Sequence, residues 1–332
     1  MLDQVDILED DIQRDYPEAF KRLLVDHTTH ENIFWATDSY AQLGKGYGFS
    51  DLITPDKITG EKFGRTIQPR SRKSADEQAR RVKDKAEVFT PSWVCNAQNN
   101  LIDEQWFGNS ERPIFNEPAP EDGPHEWRAT PPPVVFPDSG SRSKGKTWQN
   151  YVKDIRLEIT CGEAPYLVSR YDTVTGEPIP IDKRIGLLDR KMRVVNENTT
   201  TKNWKYWATI ALQSIYGFEW QGDNLLLARE AILYSMMDYY REKFGKDKDM
   251  PVDMANTFAY IISWNLWQMD GLTYEVPCDK SQNLGGLFGT FCVIRDWNRA
   301  ENDEWEKLRP NYKVYRKPWQ VIEFKSLCKT KN

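Results

Sequence analysis

The sequence predicts an α/β fold: a doubly wound, mostly parallel sheet with a helical N-terminal region. Three segments carry that expectation. IRLEIT (155–160) is a short apolar-rich strand that runs into a glycine turn, CGEAPYL, expected to open a helix. IYGFE (215–219) is strand-like and is followed by the helical run NLLLAREAIL. AYIISWNLWQM (259–269) reads as a further buried strand. Strand, glycine turn, helix, then strand and helix again is the order of parallel α/β units. At 332 residues with 13 Trp, 14 Phe and 15 Tyr, the chain can build a sizeable core and is not disordered throughout. No run approaches the roughly 18 uninterrupted apolar residues of a membrane-spanning helix, so no membrane partner is expected.

The elements follow in order. The acidic N-terminus, MLDQVDILEDDIQRDYPEAF, lacks the basic start and apolar stretch of a signal peptide. Five widely spaced cysteines without a CxxC fit free thiols in a reducing compartment, and a cytoplasmic location is expected. Residues 10–24 have helical apolar spacing, and GKGYGFSD (44–51) is a loop. SADEQARRVKDKAEVF (74–89) reads as a helix opened by Ser74 and Glu77, ending where Pro91 restrains Thr90. A second helix follows, with Trp93, Val94, Ala97, Leu101 and Ile102 as its apolar positions. Residues 108–148 hold eight of the 19 prolines and read as a long surface loop. After a second insertion-like stretch (170–191), a helix-rich portion covers 204–244. The expected organisation is a helical region with a basic helix (1–85), an α/β ligand-binding domain (86–280) carrying the insertion 108–148, and a C-terminal extension (281–332).

The net charge is −5, but it is unevenly spread. Residues 62–85 carry +6 and the rest of the chain −11. Such a local stripe, with Arg70, Arg72, Lys73, Arg80 and Arg81 as its candidate contacts, suits a DNA phosphate backbone. A solvated helix face is the plain alternative.

Chemistry concentrates at the predicted strand ends. In LEITCGEAPYL (157–167), the acid Glu158 precedes a tight turn through Cys161, Gly162 and Ala164. Small residues there let a ligand lie across the strand ends, where Cβ atoms would collide with it. Glu219 ends the next strand, where a carboxylate can accept from both ribose hydroxyls of a nucleoside. Asp270 follows the third and could accept from an adenine amino group, or could simply form a turn before Gly271.

Taken in order, AEVFTP (86–91), LEITCGEAPYL, YGFEWQGDNLLLAREAIL (216–233) and WQMDGL (267–272) resemble the N6-adenine DNA methyltransferases of restriction–modification systems, in particular the group called restriction endonuclease subunit M. The resemblance spans about residues 74–275. It implies a Rossmann-like S-adenosylmethionine-dependent fold. Phe89, Thr90 and Pro91 would close over the cofactor, and Glu158, Cys161, Gly162 and Ala164 would cradle its methionine end. Glu219 would bind its ribose and Asp270 its adenine. The sequence departs from the family in having Ala164 for the second turn glycine, Glu158 for the first acid, and longer gaps between motifs. Those gaps make Asp189 a rival ribose acid, though the Ala228-Arg229 pair nine positions on favours Glu219. No Asn/Asp-Pro-Pro-Tyr/Phe tetrapeptide, which holds the target amine in this family, is present; TPPP (130–133) lacks both amide and aromatic. The resemblance thus implies a cofactor-binding half, partnered by DNA and by a second polypeptide bearing that tetrapeptide or an endonuclease subunit.

Other classes leave weaker traces. VIEFK (321–325) mimics a metal-dependent nuclease strand, with Glu323 as ligand, Lys325 as water-positioning cation and Asp296 as a loose partner acid. His27, His30 and His125 do not cluster with cysteines, which disfavours zinc, and no GxxxxGK[ST] loop is present. A non-catalytic DNA-binding or specificity subunit of a restriction system is the competing class.

Overall fold

A computed structural model describes residues 6–85, 87–108, 112–119, 123, 125–137, 145–278, 289–297 and 320–328. In chain order the helices are α1 (Glu9–Asp15), α2 (Pro17–Leu24), α3 (Pro55–Ile58), α4 (Ala75–Lys85), α5 (Ser92–Phe107), α6 (Trp148–Lys153), α7 (Leu187–Asn198), α8 (Thr201–Gln213), α9 (Gly222–Phe244) and α10 (Val252–Asn265). The strands are β1 (Asn116–Pro118), β2 (Trp127–Ala129), β3 (Arg156–Glu158), β4 (Ile215–Glu219), β5 (Leu266–Gln268), β6 (Val293–Asp296) and β7 (Gln320–Glu323). Among the described residues no helix is long and apolar enough to cross a membrane. All five cysteines are free thiols.

The expected parallel α/β arrangement is present as a three-stranded sheet ordered β3-β4-β5. Glu158 stands opposite Gly217, and Glu219 opposite Gln268, so both parallel pairings are fixed at their C-terminal ends. Crossovers α7–α8 and α9–α10 join the strands, as parallel pairing requires. Helix α9 is buried on every side from Gly222 to Tyr240, and it packs on β4 and β5 and against α2, α7 and α10. Its 23 residues, about 34 Å at the helical rise, make it the spine of the core. Within it Arg229 replaces a hydrophobic contact with a clamp. Its guanidinium donates to the carbonyls of Leu23, Val25, Ser263 and Leu266, joining the ends of α2 and α10.

Three expectations are corrected. The run 259–269 is helix through Asn265 and strand only at Leu266–Gln268. A segment that is apolar on all sides has no period to distinguish strand from buried helix, and Pro251 at the N-cap favours the helix. The turn at 161–164 does not open a helix; turns and loops, with one 3-10 turn at Ile181–Lys183, continue to Leu187. The proline-rich insertion is more than a surface loop. It holds the antiparallel ribbon β1–β2 and sends Phe115 and Phe136 into an aromatic cluster with Phe107 and Tyr151. Most of the C-terminal extension lies outside the described residues; β6 and β7 pair antiparallel.

The N-terminal segment is sewn to the sheet. Gln268 on β5 accepts from Phe34 N–H (2.8 Å) and donates to the carbonyls of Phe34 and Trp220. Gly222 donates to the Trp35 carbonyl, and a Cβ at Gly222 would lie 1.9 Å from the Phe34 oxygen.

Candidate functional site

The backbone leaves β3 through a coil in which Thr160 (φ 52°), Gly162 (φ 52°) and Ala164 (φ 61°) are all left-handed. The coil is pinned at both ends: Cys161 N–H donates to the Phe218 carbonyl, and Ala164 N–H to that of Cys161. Gly217 on β4 makes room for it, since a Cβ there would meet the Cys161 side chain at 3.3 Å. Gly162 relieves a backbone strain rather than a collision, because its nearest neighbour, the Phe89 ring, would be 3.7 Å from an added Cβ.

Glu219, at the end of β4, meets this coil. Its Oε2 accepts from Gly162 N–H at 2.9 Å and its Oε1 from Gln221 N–H at 3.1 Å. Burial pushes Glu219 up to about 7 against those two donors, with Asp223 and Glu87 adding to the rise. Glu158 is carried well above the usual carboxylate range by burial, against the backbone N–H groups of Tyr166 and Leu167, with Glu219 adding.

These groups wall a cleft of about 400 Å³. Six of the residues singled out from the sequence line it: Phe89, Thr90, Glu158, Cys161, Gly162 and Glu219. Segments 87–90, 158–162 and 219–221 therefore converge, though they lie far apart in the chain. The N-terminal segment adds Ala36 and Phe49.

The remaining candidates stand elsewhere. Pro91 is the N-cap of α5, and Ala164 is fully buried; neither lines the cleft. Asp270 is also outside the cleft lining. Its Oδ1 accepts from the N–H groups of Leu272 and Thr273, so it takes the turn-forming alternative. Asp189, the rival acid, is buried on α7, where it accepts from Ser169, Gly186 and Tyr239 and does not line the cleft.

The basic stripe divides. Arg72 and Arg80 are exposed and Arg70 is half-buried, its guanidinium over the Phe89 ring. Lys73 and Arg81 are buried, contrary to the expectation of an exposed stripe. Arg81 pairs with Glu87 at 2.7 Å and Asp223 at 2.8 Å, and Lys73 lies 3.7 Å from Asp223. Burial opposes ionisation of Asp223, but Arg81 and Lys73 hold it below the usual carboxylate range. The physical reason is partner supply: Glu87 and Asp223 let Arg81 of α4, and Lys73 just before it, leave water.

Sequence reasoning did not assign Glu87, Trp220, Gln221 or Asn224 to the site, yet all four line the cleft. Glu87 was detectable as the acid two positions before Phe89. Trp220 and Gln221 follow Glu219 directly, and Asn224 lies in the first turn of α9.

The nuclease constellation does not assemble. In the β6–β7 register Glu323 faces Val293 and Asp296 faces Gln320, which sets the two acids about 10 Å apart along the ribbon. Among the described residues no group of three His, Cys, Asp or Glu could hold a metal ion. His27 stacks on Trp264 at 3.9 Å and bonds Ser263; burial lowers it to about 3 and keeps it neutral. His125 stacks on Trp93. No protein-family model, curated protein or solved structure matches the chain.

Proposed function

We propose that the cleft binds S-adenosylmethionine and that the chain is an N6-adenine DNA methyltransferase, or the cofactor-binding portion of one, acting in the cytoplasm within a restriction–modification system. The observation that carries this reading is the Gly162–Glu219 hydrogen bond, which joins the glycine coil and the second-strand carboxylate in one cleft. The parallel sheet β3-β4-β5 is a part that a doubly wound fold would contain.

The residues fit the group. Each Glu219 oxygen has one backbone donor and a lone pair to spare for a ribose hydroxyl. Glu158 keeps a buried oxygen, Oε2, without a partner, suited to an ammonium. Phe89 and Trp220 supply apolar wall against which a base or a thioether chain can lie. When bound, S-adenosylmethionine supplies a methyl group on a positively charged sulfonium. The chain's own work is to hold that ligand and exclude water. Orienting and polarising a target amine needs the tetrapeptide this sequence lacks, so we assign that task to a second polypeptide. Of the five candidate contacts, Arg72 and Arg80 are exposed to meet DNA phosphates.

Isothermal titration tests the reading. Glu219→Ala is expected to weaken S-adenosylmethionine binding at least tenfold, about 1.4 kcal/mol. Unchanged affinity would remove Glu219 from the site. Salt-dependent DNA binding with no affinity for the cofactor would favour the alternative, a DNA-binding subunit, because the missing tetrapeptide already points that way.

A further inference from the structure

Helix α1 buries two residues, Ile12 and Glu9. Glu9 is 1% exposed, and Glu230 on the central helix α9 is 0% exposed. None of the four carboxyl oxygens of this pair has a hydrogen-bond partner. Asp6, just before α1, also keeps its buried Oδ1 unmatched. Glu9 and Asp6 both lie close enough to Glu230 to disfavour a charge on it. Buried acceptors without donors are rare in folded proteins, and these five gather where α1 meets α9.

The surroundings bring no positive charge to the two glutamates. The groups acting on them are carboxylates, Asp6 and Asp10 on Glu9, and Glu9 and Asp6 on Glu230. Arg65 and Arg72 act on Asp6, while Tyr234, one turn along α9, faces Glu230 with Arg170 beyond it. Arg229, the residue before Glu230, gives its guanidinium to the carbonyls of Leu23, Val25, Ser263 and Leu266. From α2, α7 and α10, which pack against α9, no cation among the described residues acts on Glu230. A carboxylate so enclosed is neutralised rather than left charged. Burial lifts Glu9 well above the usual carboxylate range, with its own N–H opposing and Asp6 and Asp10 adding. It lifts Glu230 likewise, with Glu9 and Asp6 adding. The oxygens expose no surface that a water or an ion could touch, whereas a proton needs no cavity.

We propose that Glu9 and Glu230 are a proton-held latch, docking α1 on α9 while protonated and releasing it when alkali ionises them. The element that leaves is α1, because it has seven residues and exposes Gln13, Arg14 and Asp15, whereas α9 is enclosed on every side. The sign follows from linkage. Above the ordinary glutamate range the released helix gives up protons that the docked helix keeps, so docking weakens as pH rises. This holds whatever the cleft binds.

Hydrogen exchange of the whole chain at pH 6 and pH 9, corrected for the intrinsic pH dependence of exchange, tests the latch. The Ile12 and Tyr16 amides, bonded to the carbonyls of Leu8 and Ile12, report on α1, and those of Ala211 and Leu212 in α8 serve as reference. In the unaltered protein, protection of the α1 pair is expected to fall at least tenfold more than that of the reference pair. In the double variant Glu9→Gln and Glu230→Gln that excess is expected to shrink to threefold or less, with each single variant in between. An excess that persists undiminished in the double variant would overturn the assignment to these two residues. Equal loss of protection in α1 and α8 would overturn the latch on the unaltered protein, even if the variants failed to fold.

Discussion

At Asp103 and Arg190 every side-chain polar atom is matched. Arg190 donates to Asp103 (2.6 Å), to Asn96 and to the Ile185 carbonyl, while Tyr151 donates to the other Asp103 oxygen. Both residues are 1% exposed. The cleft acids are buried too, yet Glu87 and Glu158 each keep an oxygen with no partner. A charge taken out of water costs several kcal/mol, and a fold accepts that cost either by pairing the charge or where something else will pair it. The first centre is matched within the fold and the second is not.

Arg190→Ala should have the largest effect. It strands Asp103 in the core, at a cost of about 3–5 kcal/mol. Urea unfolding should show the loss, while the protein that stays folded should bind S-adenosylmethionine as before. A selective loss of binding without loss of stability would erase the distinction between the two centres.

The cleft should respond to pH. Glu219 must be ionised to accept from two hydroxyls, and burial has lifted it to about 7, with Asp223 and Glu87 adding and the Gly162 and Gln221 N–H groups opposing. Affinity for S-adenosylmethionine should therefore rise as pH climbs through that value, by roughly tenfold between pH 6 and pH 8. The stability of the free protein should move the other way. Between pH 4.5 and about 7 the folded chain holds a proton on Glu219 that the unfolded chain has released, so this group's contribution falls as pH rises. Titrations at a series of pH values check the first sign, and urea unfolding over the same series the second. A flat binding profile would mean that Glu219 is not the acceptor.

The smallest effect belongs to Asp270. Removing its carboxylate in Asp270→Ala frees two backbone donors in an exposed turn, worth about 0.5–1 kcal/mol on thermal unfolding. Cofactor affinity should stay within threefold. A larger drop would return Asp270 to the ligand.

Those contrasts also mark what the sequence could tell. Gly162 and Glu219 were legible because each sits at a strand end, where residue type is dictated by backbone geometry or by ligand chemistry rather than by packing. Asp270 was ambiguous in principle, since an Asp before Gly serves a turn and a ligand equally well. The burial of Lys73 and Arg81 depends on Asp223, some 140–150 positions away, and no local pattern encodes a partner at that distance. The same holds for α10, whose apolar run suits a strand until its neighbours α2 and α9 are known to surround it.

Gln268 has a practical corollary for anyone trimming this chain. A fragment begun at residue 86 would leave that amide with only the Trp220 carbonyl, and would strip Ala36 and Phe49 from the cavity rim. The Gln268 side-chain oxygen, normally matched by the Phe34 N–H, would lose its donor. The opening residues are thus masonry of the cleft, and a shortened version would forfeit part of its wall along with them.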